Sequence, residues 1–313
     1  MKKIPLFLIF ITLILTSSLC TNDPKDDPDP LPPDVFIHFL ADGMEVPADF
    51  NMSIPAEAIS ENGGISSMAM TVDGIIVESV QQSAHCFSWN TEGMSTGEYL
   101  LEIIAEDSEG ITGSAELKIN LMDPVGPPGL CEDSPTFHYQ GYDYKVVRIG
   151  EQCWFAENFR YNCEGSSCYD NDQINCEVYG RLYDWWSAFE NAPEGWHLPS
   201  VEEWCDLLSY VDPDSECMLD AEVGTDVGFK LRSADGWADC TSGSDQYHFR
   251  VLPAGYTWIT GEFTRMGGAA IFLTSSVTSN DFIYHIGFND VTTKAGIYTS
   301  PKSLRLSVRY VKD

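Results

Sequence analysis

Apolar and polar residues alternate along residues 34–122, in short runs separated by turns. Met68–Val72 and Ile75–Glu78 are two of these runs, and the pair Asp73-Gly74 between them is a strong signal for a two-residue hairpin turn. Three further runs follow at 87–91, 97–107 and 114–119. About seven short strands with turns every ten or so residues predict a two-sheet sandwich.

The chain after residue 131 follows a different pattern. One apolar face recurs at helical spacing and comprises Val201, Trp204, Leu207, Leu208 and Val211. Ser200 precedes this face and Glu203 follows three residues later, so the pair predicts a capping box at the start of the helix. Similar spacing predicts an earlier helix over 179–189. From Phe229 onward, short apolar runs and many glycines predict a meandering sheet, and hence an α+β domain.

Proline and glycine mark the boundary between the two patterns. The stretch Asp123-Pro124-Val125-Gly126-Pro127-Pro128-Gly129 predicts a linker at 123–131. It separates a sandwich at 34–122 from an α+β domain at 132–313. A chain of 313 residues is long enough for two such cores.

The N-terminal residues indicate export. Two lysines precede the apolar run Leu6–Leu15, which is too short to span a bilayer and is typical of a secretory signal. Cys20 closes this segment, so we predict a lipoprotein signal peptide at 1–19 with Cys20 lipidated. Leu19 departs from the small residue usual at that position, and plain secretion is the alternative. We expect a protein anchored to the outer membrane and exposed on the cell surface.

Acidic residues dominate the whole chain. Residues 20–33 are rich in Asp and Pro and predict a solvated tether, which either serves as a spacer or resembles the surface-export signal of some Gram-negative lipoproteins. The formal net charge is −31. Such a charge repels nucleic acid and anionic lipid. We therefore expect no nucleic-acid partner, and contact with a membrane through the N-terminal lipid only.

Several short motifs in the first domain carry a resemblance. These are Trp89-Asn90-Thr91, Gly97-x-Tyr99 and Ala105-x-Asp107-x-x-Gly110. Together they resemble bacterial immunoglobulin-like surface modules. The resemblance implies an immunoglobulin-like sandwich at 34–122 that serves as a spacer between the membrane and the second domain.

Seven motifs in the second domain occur in order between residues 135 and 313. They are IGEQCWFAENF, CYDNDQINCEVYGRLYDWWSA, PEGWHLPSVEEW, GFKLRS…GW, VLPAGY, GEFTRMGGAAIFLTSS and LSVRYVKD. Together they resemble the Fibrobacter succinogenes major paralogous domain. The resemblance implies a C-type-lectin-like fold, a remote similarity to the formylglycine-generating sulfatase-modifying family, and exported bacterial proteins with no agreed activity. The expected fold class is thus an all-β immunoglobulin-like sandwich followed by an α+β C-type-lectin-like domain.

The chain departs from this family at two positions. Members carry Cys-Pro before the Gly-Trp-His-Leu-Pro block and Val-Arg-Cys near the C-terminus, where this chain has Ala192-Pro193 and Arg309-Tyr310. The resemblance implies that one disulfide is missing here. We expect packing of Tyr310 against the region of Ala192 to replace it.

The remaining cysteines predict disulfides, as their density in an exported protein suggests. Cys168 with Cys176 would close a short loop, and Cys205 with Cys217 would join a helix to the loop after it. Cys86 stands alone in the first domain. The pairing of Cys131, Cys153, Cys163 and Cys240 is left open.

Neither catalysis nor a cofactor is predicted. Gly-x-Ser-x-Gly, His-Glu-x-x-His and phosphate-loop motifs do not occur in the sequence. His197 is interpreted as a structural histidine bonded to backbone. An enzyme of the sulfatase-modifying type is kept as an alternative. Structural calcium is a second alternative, with candidate ligands Asp170, Asp172, Asp212, Asp214, Glu216, Asn289 and Asp290.

Binding is the leading functional hypothesis. The C-type-lectin-like fold implies a ligand surface on the late loops, here 256–265 and 276–302. The candidate ligand-binding residues are Tyr256, Trp258, Phe263, Tyr284, Phe288, Asn289 and Tyr298. Five tryptophans are assigned to the core: Trp154, Trp186, Trp196, Trp204 and Trp237. We expect a glycan or protein ligand on a cell or matrix surface; a structural or assembly module without a soluble ligand is the alternative.

Overall fold

The computed structural model describes residues 30–123, 126–132, 134–213, 215–238 and 240–313. The predicted signal peptide, the lipidation site Cys20 and most of the predicted tether lie outside these ranges. Within them, the helices are all too short or too polar to cross a membrane.

The first domain is a sandwich of two sheets. Its strands are β1 (Asp34–Ile37), β2 (Met44–Pro47), β3 (Asn51–Ile59), β4 (Ile65–Val72), β5 (Ile75–Val80), β6 (Ala84–Asn90), β7 (Gly97–Asp107) and β8 (Thr112–Met122). One sheet has the order β1-β3-β6 and the other β2-β8-β7-β4-β5. All pairs are antiparallel except β2 with β8.

Period-two alternation builds the core between these sheets. Met52, Ile54, Ala56 and Ala58 on β3 point inward and are buried, while the residues between them are more exposed. The predicted hairpin turn is confirmed: Asp73 and Gly74 both have positive φ, 49° and 77°. The structure has eight strands where about seven were expected.

The second domain mixes helices and strands. Its strands are β9 (Thr136–Tyr139), β10 (Tyr142–Ile149), β11 (Gln152–Phe155), β12 (Ser166–Ser167), β13 (Leu182–Tyr183), β14 (Trp196–His197), β15 (Ala221–Val223), β16 (Ala254–Thr257), β17 (Phe263–Met266), β18 (Ala269–Val277), β19 (Phe282–Asn289), β20 (Ala295–Pro301) and β21 (Val311–Lys312). Its helices are a 3-10 turn at Tyr169–Asn171, α1 (Gln173–Tyr179), α2 (Trp185–Glu190), α3 (Val201–Val211) and α4 (Val227–Leu231).

Two larger sheets organise this domain around α3. One has the order β14-β21-β11-β10-β9, and the other has the order β15-β20-β19-β18-β16-β17. Trp204 of α3 is fully buried between them, with its ring centroid 4.8 Å from that of Trp154 on β11 and 5.4 Å from that of Phe272 on β18. The predicted capping box is confirmed, since the Glu203 amide donates to Ser200 Oγ (3.2 Å) and the Ser200 amide donates to Glu203 Oε2 (2.8 Å).

The single helix predicted over 179–189 is wrong. Helix α1 ends at Tyr179 because Gly180 adopts φ +77°, and a Cβ at this position would lie 2.7 Å from Asn158 Cβ. After the short strand β13, Asp184 caps a separate helix, α2, by accepting from the Ser187 amide. Trp186 is 47% exposed on α2, so its assignment to the core is also wrong. Trp154, Trp196, Trp204 and Trp237 are buried as predicted.

Tyr310 occupies the place expected for it. It is fully buried and donates from its hydroxyl to the carbonyl oxygen of Ala188 (2.7 Å). Ala192 packs against the same apolar cluster, so the predicted contact is confirmed.

Four disulfides occur in the described ranges. The predicted pairs Cys168–Cys176 and Cys205–Cys217 are present, and Cys131 pairs with Cys153. The expectation that Cys86 stands alone is wrong. It lies on the outward face of β6 and pairs with Cys240 of the second domain. Cys163 has no disulfide partner among the residues that the structure describes.

Candidate functional site

An open groove crosses the face of the six-stranded sheet that points away from α3. Gly287 on β19 lies directly opposite Gly296 on β20. Ile271 flanks this glycine pair on one side and Glu222 on the other. Because Gly287 carries no side chain, the sheet backbone itself forms the floor there, while the Tyr298 ring covers the backbone at Gly296. The groove has a volume of about 190 Å³.

Aromatic side chains form its walls. A Cβ at Gly296 would collide with the Tyr298 ring, which therefore lies across that glycine. Tyr298 is 40% exposed. Tyr256 lines the other wall, and its ring centroid is 5.4 Å from that of Trp258, which is 48% exposed.

The polar groups of the groove are largely paired with one another. Arg265 donates to Asp290 Oδ1 (2.5 Å) and to the carbonyl of Gly268 (3.1 Å). Asn289 Oδ1 accepts from the amides of Val291 (2.9 Å) and Thr292 (3.2 Å). Within the described ranges the Asn289 Nδ2 group donates no hydrogen bond, so it is a donor available to a ligand.

His285 adds a neutral imidazole. It is buried beside the groove and shares a hydrogen bond with the hydroxyl of Ser300 (Nδ1 to Oγ, 2.8 Å). Burial lowers the pKa of His285 to about 4, so the ring is uncharged at neutral pH.

The alternation along β19 decides which predicted ligand residues reach this groove. His285, Gly287 and Asn289 point into it, whereas Tyr284 and Phe288 belong to the opposite face. Phe288 is 1% exposed, and its ring centroid lies 6.1 Å from that of Phe272 in the core. Phe288 is thus among the lining residues of the groove, but its buried ring offers no face to a ligand, and the partly buried Tyr284 packs against the same core.

The other predicted residues are close neighbours in the fold. Tyr256, Asn289 and Tyr298 line the groove together. Trp258 continues the wall formed by Tyr256, and Phe263 pairs with β16 but packs on Tyr169, with ring centroids 5.2 Å apart. Sequence reasoning missed five contributors: Glu222, Arg265, His285, Gly287 and Gly296. The signal that could have found the floor is the isolated glycine in each of two apolar strands.

Two residues with possible chemistry lie outside the groove. His197 Nε2 lies 2.7 Å from Glu203 Oε1, and its Nδ1 lies 2.6 Å from Asp313 Oδ1, so the prediction that it bonds to backbone is wrong. Burial opposes its charge, but the hydrogen bonds to Asp313 and Glu203 outweigh burial and raise its pKa. Burial raises the pKa of the Cys163 thiol, which is the opposite of what a nucleophilic cysteine needs.

Three of the acidic residues considered for calcium have other partners. Asp172 caps α1, and Asp212 Oδ2 accepts from the Thr225 amide (2.7 Å). Asp290 pairs with Arg265. Asp214 lies outside the described residues. Across the described part of the chain, His, Cys, Asp and Glu side chains form no group of three or more that could hold a metal ion.

Helix α4 supports the rim of the groove from behind. The Phe229 amide donates to the carbonyl of Thr293 (3.1 Å), and Arg232 Nη1 donates to the carbonyl of Asn289 (2.5 Å). A Cβ at Gly228 would lie 2.5 Å from the carbonyl oxygen of Lys294. The loop after β19 therefore rests directly on α4.

The opposite side of α4 contacts the sandwich. Phe229 belongs to the buried core of the first domain and meets Phe50 edge-on, with ring centroids 6.2 Å apart. Lys230 Nζ lies 3.0 Å from Glu45 Oε2. The Arg232 guanidinium lies 4.2 Å above the ring of Phe39. The sandwich, predicted as a spacer, is thus also the outer support of the rim.

Comparison with solved structures gives distant likenesses. The fibronectin(III)-like modules of Clostridium thermocellum CbhA are 18% identical at a TM-score of 0.27, with 35% of this chain and 53% of that chain covered. The endo-beta-1,4-mannanase from Thermotoga petrophila is 15% identical at a TM-score of 0.24, with 29% and 20% covered. The PKD1 domain of Vibrio anguillarum Epp is 17% identical at 0.21, with 31% and 100% covered. At these TM-scores the likenesses carry no argument. The chain spans about half of the CbhA modules, and it matches no curated protein.

The second domain gives a clear family match. The family model described as the Fibrobacter succinogenes major domain matches residues 147–312, which is more than half of the chain. The match includes the groove, its supporting helix α4 and the capped helix α3. The predicted resemblance is confirmed, and the chain belongs to the Fibrobacter succinogenes major domain family.

Proposed function

We propose that this protein is an exported, lipid-anchored surface protein whose terminal domain binds a glycan in the groove of its six-stranded sheet. The observation that carries the proposal is the open backbone floor at Gly287 beside the exposed ring of Tyr298, which lies over the opposite residue Gly296. A flat backbone floor beside an aromatic face suits a sugar ring, whose apolar face packs on aromatic side chains.

The size and polarity of the groove support the same ligand. Its volume of about 190 Å³ suits one ring of a longer glycan. Glu222 and the Asn289 Nδ2 group supply an acceptor and a donor for hydroxyl groups. His285 is neutral, and Arg265 is already paired with Asp290. These groups favour a neutral sugar over a charged one.

The proposal includes a C-type-lectin-like fold for the terminal domain and an outer-membrane location. The first rests on the resemblance of seven motifs, together with the mixed helices and strands. The second rests on the apolar run that ends at Cys20. A protein ligand and an assembly module without soluble ligand are the alternatives, and the experiments described below distinguish them. An enzymatic role has no support in the environment of Cys163.

A glycan array tests the proposal. The oxidised full chain carrying Cys20→Ser is applied to the array, once with calcium and once with chelator. With its groove unchanged, it should bind at least one class of glycan. Gly287→Val should abolish this binding, because a Cβ there meets nothing closer than 3.9 Å and the valine methyl groups would occupy the floor of the groove. Tyr298→Ala should weaken it at least tenfold.

Tyr210→Ala is the matched control, since Tyr210 is an exposed aromatic residue on α3, outside the groove lining. It should bind as the wild type does. If the chain binds no glycan on the array but does bind cell-surface proteins, its ligand is a protein. If the chain binds neither glycans nor cell-surface proteins, a binding function is refuted and the assembly module is favoured.

A further inference from the structure

A second cavity lies between the linker and the five-stranded sheet of the second domain. It has a volume of about 460 Å³, within the range of small-molecule sites. Its base is apolar and buried, formed by Val147 and Ala156, whose side chains belong to the same buried cluster. Pro128 and Pro135 form apolar walls.

The rim of this cavity is basic, against the trend of the whole protein. The chain has 17 Lys and Arg against 48 Asp and Glu, yet Lys145, His248 and Arg250 all line this one cavity. Among the described residues, Lys145 Nζ has neither an ion pair nor a hydrogen bond. In the described ranges the Arg250 guanidinium pairs only with the exposed Asp235, at 3.6 Å, and His248 Nε2 lies 3.1 Å from the carbonyl oxygen of Gly126.

Among the residues that the structure describes, one carboxyl group lines the cavity, and it is already engaged. Asp245 Oδ1 accepts from the Arg250 amide at 2.6 Å. Burial raises the pKa of Asp245 to about 6, so this carboxyl group still carries most of its negative charge at neutral pH. Lys145 and Arg250 together outweigh it by one positive charge.

A buried cation lies directly behind the same loop. The Arg309 guanidinium is fully buried and donates to the carbonyls of Phe249 (2.8 Å) and Arg250 (2.7 Å). Its charge acts through a low-dielectric interior, where it is screened less than a surface charge. The bonds to Arg309 also fix the backbone of the loop, so the Arg250 side chain starts from an ordered position.

We propose that this cavity binds an organic carboxylate with a compact apolar body. The carboxylate is held by the Lys145 ammonium and the Arg250 guanidinium, whose fork matches the two oxygens of a carboxylate. The body of the ligand packs on Val147 and Ala156. This site is separate from the groove of the six-stranded sheet and does not depend on glycan binding there.

Benzoate is the probe, with benzyl alcohol as its neutral analogue and glucuronate as a carboxylate with a polar body. Each is titrated into the isotope-labelled, oxidised full chain carrying Cys20→Ser, and binding is followed by NMR. Benzoate should shift the amides of Val146, Val147 and Arg250. Both comparison ligands should bind at least tenfold more weakly.

Two variants address the two parts of the site. Lys145→Gln combined with Arg250→Gln should weaken benzoate binding at least tenfold. Thr136→Trp should block the cavity from an exposed wall position while leaving every charge in place. Lys118→Gln is the control: it removes an exposed lysine of the sandwich that pairs with Glu98, and it should change nothing.

Several results would overturn the proposal. Equal binding of benzyl alcohol would show that the cations are not used. Tighter binding of glucuronate would contradict the apolar base. If millimolar benzoate shifts no amide signal, the cavity is not a specific site. The same conclusion follows if Lys118→Gln weakens benzoate binding as much as Lys145→Gln combined with Arg250→Gln does.

Discussion

The disulfide between Cys86 and Cys240 gives the sharpest stability prediction. Its two cysteines are 154 residues apart, and the other three disulfides all lie within that span and shorten the effective loop. The chain-entropy relation assigns a closed loop of roughly a hundred residues about 5 kcal/mol of stabilisation. The double variant Cys86→Ser/Cys240→Ser should therefore lose up to about 5 kcal/mol of unfolding free energy.

Denaturant unfolding followed by tryptophan fluorescence measures this loss. Non-reducing peptide mapping first establishes that the wild type carries the bridge. The bridge and α4 hold both domains together, so the wild type should unfold in one cooperative transition. The variant should unfold at lower denaturant, and the sandwich should separate from the second domain in an earlier step.

The pair Cys168→Ser/Cys176→Ser is the matched control. Its cysteines are only 8 residues apart, so the same relation predicts a loss of about 2.5 kcal/mol. Replacing Cys86 and Cys240 must therefore lower the unfolding free energy clearly more than replacing Cys168 and Cys176. An equal or smaller loss from Cys86→Ser/Cys240→Ser would refute the reasoning from loop length.

Three further variants test separate parts of the structure. Phe229→Ala should lower the unfolding free energy by about 3–5 kcal/mol, because it removes a ring that is buried in the sandwich core; a loss below about 1 kcal/mol in a denaturant titration would show that α4 does not join the domains. In the wild type, the raised pKa of His197 should stabilise the fold fully below pH 6.5, and this gain should disappear as pH rises through the folded pKa. His197→Gln should lack the gain when unfolding is measured at several pH values. An unchanged pH profile in the variant would contradict the paired geometry. His285 titrates at about 4 when folded and 6.5 when unfolded, so the wild type should lose about 3 kcal/mol as pH falls between these values. His285→Gln should lack that loss, and a loss of the same size in His285→Gln would assign it to another group.

Features set by local sequence were predictable. Ser200 and Glu203 fix the start of α3, and the apolar face of this helix follows from spacing alone. Asp73-Gly74 fixes its hairpin turn in the same way. The helix predicted over 179–189 failed because Gly180 stops α1 through a close contact with Asn158, which is distant in sequence.

Features set by long-range contacts were not predictable. The partner of Cys86 lies in the other domain, and no spacing rule identifies it. The C-type-lectin-like resemblance led to the late loops, whose aromatic and Asn side chains include Tyr256, Asn289 and Tyr298, which do line the groove. It also led to Phe288, because the sequence does not reveal which face of β19 is covered by α3. The opposition of Gly287 and Gly296 depends on strand register, which only the fold establishes.

The central claim is that the glycine floor of the six-stranded sheet binds a sugar ring. A side-by-side glycan array of the wild type and Gly287→Val tests it most directly. The wild type should bind a defined class of glycans, and Gly287→Val, with the same far-ultraviolet circular dichroism spectrum, should bind none of them. Identical patterns for the two proteins, or a wild type that binds no glycan, would contradict it.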